Sequence, residues 1–171
     1  ELLLDLGTTE NLGSISAPNE YSPYTTTFNG YVGGIAGRLH STQYDVHVKG
    51  TVTNSADLTV AGERIGGLFG SVNATKSLGG SPAKYEQKSL ILEGTFRNDG
   101  DLSGTSRYVN SNNMGGIVGR VEGSFRLPEG SSAENRGNLR STGASYFGGI
   151  VGMVTYAFND CTALFDGNAS N

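Results

Sequence analysis

The sequence predicts an all-β fold of the β-solenoid type, a parallel β-helix-like stack of about four repeats. Three observations support this prediction. A glycine-rich octet occurs four times, a second element that ends in asparagine alternates with it, and glycine recurs every few residues inside the apolar segments. Each glycine in a helix interior costs about 1 kcal/mol relative to alanine, so these segments are not predicted to be helical. The segment 46–49 (VHVK) instead alternates with the period of two that strands show.

The octet consists of an apolar residue, Gly-Gly, Ile or Leu, a small or apolar residue, Gly, a variable residue and an aliphatic residue. Its copies are 32–39 (VGGIAGRL), 65–72 (IGGLFGSV), 114–121 (MGGIVGRV) and 147–154 (FGGIVGMV). Self-similarity of this kind is the sequence signature of repeat architectures, in which each unit buries its apolar side only by stacking on the next.

The second element is an apolar run, a glycine, and an asparagine four or five residues later. Its asparagines are Asn11, Asn54, Asn98 and Asn135, and a fifth copy begins at Leu164 and reaches Asn171. Successive asparagines are 43, 44, 37 and 36 residues apart. We therefore predict one repeat domain over residues 1–171, with repeats at approximately 1–43, 44–87, 88–124 and 125–160 and the start of a fifth at 161–171.

Stacking in register places equivalent residues above one another, about 4.8 Å apart. The sequence therefore predicts an internal aliphatic ladder of Ile35, Leu68, Ile117 and Ile150. It also predicts an asparagine ladder at the turns, formed by Asn11, Asn54, Asn98 and Asn135, in which side-chain amides bond to the backbone or to each other.

The octets also carry apolar residues at the opposite parity, which indicates a strand covered on both faces. These residues form a candidate assembly face: Val32, Ile65, Met114, Phe147, Phe69, Val118 and Val151. Either another layer of the same chain covers them, with the runs 90–92 and 46–48 as candidates, or they contact another subunit or a neighbouring domain.

Composition excludes several classes of protein. The 171 residues include 27 glycines and only 4 prolines, and the net charge of -4 does not provide the cationic surface that nucleic acids require. No apolar run is long enough to span a bilayer. The single cysteine, Cys161, cannot form an internal disulfide or a cysteine-based zinc cluster.

The sequence contains no recognisable catalytic or metal-binding motif. His40 and His47 lack metal-ligand spacing, and we predict no cofactor, no metal and no enzymatic activity. The acidic pairs are Asp99 with Asp101, Glu86 with Glu93, and Glu129 with Glu134. Paired carboxylates of this kind hydrolyse glycans in some parallel β-helices, but their place in turns favours solvated side chains. The segment 98–101 leaves calcium binding open.

The loops provide a candidate binding site and two candidate modification sites. Tyr21, Tyr24 and Tyr31 lie in one connection, where aromatic rings either stack on surface glycans or hold the loop to its own domain. Asn73 and Asn168 begin sequons for N-glycosylation, which requires export from the cell.

The Gly-Gly-Ile/Leu-x-Gly core of the octet resembles the GLUG motif, a short repeat of bacterial surface proteins that include immunoglobulin A peptidases and large adhesins. The resemblance covers the four octets and implies a surface-exposed repeat region. It implies no peptidase activity, because the chain lacks the His-Glu-x-x-His signature of the zinc domain.

We therefore expect an extracellular or cell-surface structural module, such as an adhesin stalk, a filament, a sheath or an envelope layer. The chain begins and ends in the same phase of the repeat, which favours head-to-tail or lateral assembly with itself or with neighbouring repeats. The alternative is a carbohydrate- or protein-binding adhesive module that uses the aromatic loop.

Overall fold

The computed structural model describes residues 1–17, 30–80, 84–105, 113–142, 146–155 and 162–171. Within these residues the secondary structure is entirely strand, turn and bend, and nearly all strand pairing is parallel. The prediction of an all-β, solenoid-like stack is confirmed. Each coil of the stack contributes one strand, or two shorter ones, to each of four sheets, A to D, and we describe the coils in chain order.

The strands follow the same order in every coil. The first coil contains β1 (Leu2–Asn11), β2 (Ile15–Ala17), β3 (Tyr31–Gly33) and β4 (Ala36–Ser41). The second contains β5 (Val46–Asn54), β6 (Leu58–Ala61), β7 (Arg64–Gly66), β8 (Phe69–Gly79) and β9 (Lys84–Gln87). The third contains β10 (Ser89–Asn98), β11 (Leu102–Thr105), β12 (Asn113–Gly115) and β13 (Val118–Glu122). The fourth contains β14 (Ser124–Leu127), β15 (Ser132–Asn135), β16 (Leu139–Thr142), β17 (Tyr146–Gly148) and β18 (Val151–Thr155), and a fifth begins with β19 (Ala163–Phe165) and β20 (Asn168–Ser170).

Equivalent strands of successive coils pair in register. Sheet A runs β1-β5-β10-β14-β19, with β15 and β20 continuing it beyond the breaks at 128–131 and 166–167. Sheet B is β16-β11-β6-β2, sheet C is β17-β12-β7-β3, and sheet D is β18-β13-β8-β4 with β9 attached to β8. Coils of unequal length keep this register because the additional residues lie in the connections, which are outside the paired strands.

The interior contains two separate apolar cores. Sheets A and D enclose the larger one, which includes Val46, Leu90 and Phe96 from sheet A and Val72 and Val121 from sheet D, all fully buried. Sheets B and C enclose the smaller one. It consists of Leu58, Val60, Ile65, Leu102 and Met114, with Ile15, Val32 and Leu139 packed against it.

The octet is not one strand but two strands joined at a sharp corner. Its first two residues end a strand of sheet C, the third and fourth form the bend, and the remainder begins a strand of sheet D. The first glycine of each copy allows the corner, because a Cβ there would collide with a backbone carbonyl oxygen three residues later. The corner directs successive apolar residues into different cores.

The corner shows that the candidate assembly face was a wrong interpretation. Ile65 and Met114 lie in the smaller core, and Phe69 and Val118 lie in the larger one. Val32 and Val151 are half-buried against these cores, and only Phe147, in the last complete octet, is exposed, at 51%. The chain itself covers this face. Leu58, Val60 and Leu102 cover the residues of sheet C, and the expected runs 46–48 and 90–92 line the larger core together with Phe69 and Val118.

The second coil carries one insertion. β8 continues past the end of its neighbours and pairs antiparallel with β9, from Thr75 with Gln87 to Gly79 with Lys84. Gly79 and Gly80 at its tip have φ values of 72° and 97°, which glycine adopts without a Cβ penalty. The hairpin extends the connection from sheet D to sheet A without changing the register of either sheet.

We expect Gly67→Ala to destabilise the protein by roughly 1–3 kcal/mol, the usual effect of overpacking an interior. A Cβ on Gly67 would lie 2.5 Å from Cγ of Asn98 and would also collide with the carbonyl oxygen of Gly116. Gly13→Ala is the matched control, because the nearest atom to its added Cβ is Oδ1 of Asn11 at 4.0 Å. Urea denaturation of both variants measures the difference. Equal midpoints would contradict the close packing of the corner.

Candidate functional site

A column of asparagine side chains runs through the stack at the corner between sheets A and B. Nδ2 of each residue donates a hydrogen bond to Oδ1 of its equivalent in the next coil. These bonds join Asn11, Asn54, Asn98, Asn135 and Asn171, with donor–acceptor distances of 2.7, 2.7, 2.8 and 2.7 Å in that order. Nδ2 of the three central residues also donates to the carbonyl oxygen two positions ahead, at 2.8–2.9 Å.

The column is buried, and its hydrogen bonds compensate for that burial. Asn54 and Asn98 have no exposed surface, and Asn135 is 4% exposed. Leaving a buried amide group without a partner costs about 1–3 kcal/mol, whereas both Nδ2 protons and the oxygen of Asn54 and Asn98 are bonded. An asparagine amide is both donor and acceptor, so identical residues satisfy one another when coils stack in register.

The second glycine of each octet packs against this column. Cβ atoms built on these glycines would lie 2.5–2.6 Å from atoms of the asparagine in the following coil. The contacts are Gly34 with Asn54, Gly67 with Asn98, Gly116 with Asn135, and Gly149 with Asn171. The corner between sheets C and D therefore touches the corner between sheets A and B, and this contact forms a narrow waist between the two cores.

The four residues of the predicted aliphatic ladder lie next to one another, immediately after the glycine pairs. The backbone nitrogen of each donates to the carbonyl oxygen of the next: Ile35 to Leu68 at 3.0 Å, Leu68 to Ile117 at 3.0 Å, and Ile117 to Ile150 at 2.9 Å. Leu68 and Ile117 are fully buried in the larger core, and Ile150 is 9% exposed. The ladder therefore lines the larger core beside the waist.

Three of the carboxylates considered as catalytic candidates, Glu86, Glu93 and Glu134, form ion pairs on the outer faces. Glu93 binds Lys49 at 2.9 Å and His47 at 2.8 Å, while the other ring nitrogen of His47 contacts Glu1. The hydrogen bond between Lys49 and Glu93 raises the pKa of Lys49 and holds the pKa of Glu93 below its usual value. Glu86 pairs with Lys76 and Lys88, and Glu134 pairs with Arg136, with the same lowering of the carboxyl pKa.

The acidic turn 98–101 uses its carboxylates within the protein. Asp99 binds Arg97 at 2.8 Å, and Oδ1 of Asp101 accepts hydrogen bonds from both the backbone nitrogen and Nδ2 of Asn138. In the part of the chain that the structure describes, no group of three His, Cys, Asp or Glu side chains is arranged to hold a metal ion.

Three arginines and a tyrosine gather outside the corner between sheets C and D. Arg38 and Arg64 both lie over the ring of Tyr31, with Cζ 5.0 and 4.8 Å from its centroid. Arg64 and Arg120 share Oε1 of Glu122, at 3.4 and 3.2 Å. Burial, with repulsion from Arg64 in addition, lowers the pKa of Arg120, and burial raises the pKa of the adjacent Glu63. The contacts of Tyr31 favour a role in holding its loop to its own domain.

The remaining predicted residues are dispersed. Tyr21 and Tyr24 lie outside the described residues. Asn73 is half-buried on β8, where its Nδ2 donates to Glu122 at 2.6 Å and its Oδ1 accepts from Thr75 at 2.8 Å. Asn168 is exposed at the start of β20. Among the described residues, Asn73 is linked to Tyr31 through Glu122 and Arg64, whereas Asn168 lies on sheet A.

Sequence reasoning missed the arginine cluster. Part of this cluster could have been found from the variable seventh position of the octet, which is occupied in successive copies by Arg38, Ser71, Arg120 and Met153. Stacking in register places these residues in one row on sheet D.

These features define a β-solenoid whose coils are joined by an amide column. The chain is similar to halomucin of Haloquadratum walsbyi, with 31% identity over 129 residues. The matched region is 75% of this chain but only 1% of halomucin, so the chain corresponds to a very small part of that protein. No family model matches the chain, and no solved structure matches it at a significant level. The resemblance to the GLUG motif therefore stays a prediction.

A search of the described residues for membrane-spanning segments finds no helix of the required length and hydrophobicity.

We expect Asn98→Asp to destabilise the protein by about 3–5 kcal/mol, the range for an uncompensated buried charge. The new carboxylate oxygen would face the carbonyl oxygen of Gly100 and Oδ1 of Asn135, both of which accept a hydrogen bond from Nδ2 in the native chain. Asn168→Asp is the control, because Asn168 is exposed, and we expect it to change stability by no more than about 1 kcal/mol. Urea denaturation distinguishes the two. A similar small effect at both positions would contradict the role of the column.

We expect the melting temperature to fall slightly as the pH decreases below about 4.5, the ordinary glutamate value. The pKa values of Glu86, Glu93 and Glu134 are lowered in the folded state. Their ion pairs therefore contribute stability above the ordinary pKa, and the contribution is lost as the pH falls through the lowered one. The effect is small because these pairs are exposed.

A variant with Gln at Glu86, Glu93 and Glu134 tests this prediction by differential scanning calorimetry at several pH values. It should melt at a lower temperature than the native chain at pH 7 and lose less stability on acidification. Glu129→Gln is the control, since Glu129 is exposed and has no ion pair among the described residues. A native-like acid dependence in the triple variant would rule out these carboxylates as its cause.

Proposed function

We propose that the chain is a non-catalytic structural module of an extracellular or cell-surface protein, in which coils stack on neighbouring coils of the same polypeptide or of another copy. One observation carries this proposal. Every coil is joined to the next by the same asparagine bond and by the same parallel pairing in four sheets. A scaffold of this type gains length by adding coils and needs no new kind of contact.

The polarity of the column supports stacking in one direction. Each asparagine donates through Nδ2 towards the later coil and accepts through Oδ1 from the earlier one. One side of every coil therefore presents an acceptor and the other a donor. Contacts of this head-to-tail kind are heterologous, and repeated without closure they produce a rod or filament.

The surface location is proposed on the basis of two resemblances. The name of halomucin describes a mucin, a class of secreted or surface-coating protein, and the GLUG-like octets imply a repeat region of surface proteins. Within this class, an adhesin stalk, a filament or a sheath are the forms that stacked coils suit best. The absence of catalysis is part of the same proposal, and it is supported by the candidate carboxylates that lie in ion pairs.

Excision of one coil tests the scaffold proposal. Ser89 pairs in register with Ser124, so removal of residues 89–123 joins Lys88 to an equivalent position in the next coil. We expect a folded protein that is shorter by about 4.8 Å along the stack and has a proportionally smaller urea m-value. Small-angle scattering, circular dichroism and urea denaturation measure these quantities.

The control for the excision is out of phase: it removes residues 89–117 and joins Lys88, which precedes a strand of sheet A, directly to Val118 at the start of a strand of sheet D. It should not fold. If the in-phase excision also fails to fold, the coils are not interchangeable and the scaffold proposal is wrong. The surface location is tested separately, by immunogold labelling of intact cells with antibodies against the folded chain. Labelling that appears only after permeabilisation would refute it.

A further inference from the structure

A buried serine on sheet D lies between two arginines of the neighbouring coils, and a third arginine belongs to the same cluster. On sheet D, Ser71 pairs with Arg38 of the preceding coil and with Arg120 of the following coil. Neighbouring strands are about 4.8 Å apart, so the two arginines flank the serine at one strand spacing on either side. Arg64 is contributed by sheet C in the same coil as Ser71 and reaches the same group through Glu122.

The group contains hydrogen-bond donors that lack acceptors. Ser71 is only 1% exposed, and its Oγ has no hydrogen-bond partner among the described residues. The same holds for Nε of Arg64 and Nε of Arg120, both of which are buried. Three unpaired donors close together are unusual, because a buried donor without an acceptor costs about 1–3 kcal/mol.

The charges of the group are also unbalanced. Arg64 and Arg120 share a single carboxylate, Glu122, and Arg38 has no ion pair among the described residues. With Glu63 included, three guanidinium groups face two carboxylates, so one positive charge is uncompensated. Arg64 and Arg120 are also close enough to repel each other. An anion placed among them would supply both the missing acceptor and the missing charge.

We propose that this group binds a small oxyanion, such as a sulfate or carboxylate, above Ser71 and between Arg38, Arg64 and Arg120. The planar guanidinium groups match the geometry of such anions, and the serine hydroxyl contributes a neutral donor. The oxyanion is either a free ion or the acidic group of a polysaccharide. Arg38 is the exposed member, so its side chain controls access. This inference does not depend on the scaffold role.

The test follows the arginine Nε–H resonances by NMR while sodium sulfate is added to the intact chain at constant ionic strength. We expect saturable shifts of Arg64 and Arg120, and isothermal titration calorimetry should yield the same affinity. Arg38→Gln and Ser71→Ala should each weaken binding about tenfold, the effect of losing one charge-assisted or buried hydrogen bond. Arg140→Gln is the matched control, since Arg140 is also exposed and has no ion pair among the described residues.

A second titration with a sulfated oligosaccharide distinguishes the two sources. Tighter binding than to free sulfate, with the same loss in Arg38→Gln, assigns the site to an acidic polysaccharide, and binding of sulfate alone assigns it to the free ion. Shifts that do not saturate, or equal weakening in Arg140→Gln, would show only general screening by salt and would overturn the proposal. Arg38→Gln alters an exposed side chain, so it keeps the test informative if Ser71→Ala does not fold.

Discussion

The hydrogen bond between asparagine amides of successive coils is the interaction on which the rest of the structure depends. It places a polar residue in the interior and satisfies it only if the next coil supplies an asparagine at the same position. A register shift of one residue would leave these amides unpaired and would move the apolar residues of every strand to the outer face. The column therefore fixes the register that the less directional packing of aliphatic side chains would leave open.

Glycine makes the column possible. The second glycine of each octet touches an asparagine, and the first glycine permits the corner that brings it there. Because both corners meet at the waist, the interior divides into two cores. The repeated pairing of glycine and asparagine in the sequence is thus one structural device, even though its parts lie about twenty to thirty residues apart.

The sequence predicted the stack because its repeats are periodic and stacking brings equivalent positions together. The spacing of Asn54 and Asn98 was sufficient to place them above one another. The two cores could not be predicted, because two strands joined by a corner and one continuous strand give the same order of apolar residues. For that reason Ile65 and Phe69 were assigned to one face, although the corner sends them to different cores. The arginine cluster was missed because Arg38 and Arg120 occupy the variable position of the octet and Arg64 lies just before an octet, so that no repeated residue type marks them.

The two-lobed cross-section also determines where the protein can change. At the waist the second glycine of each octet packs against an asparagine, whereas the described connection from sheet D to sheet A in the second coil carries the β8–β9 hairpin. A connection of this kind can therefore lengthen while the packing at the waist stays the same in every coil.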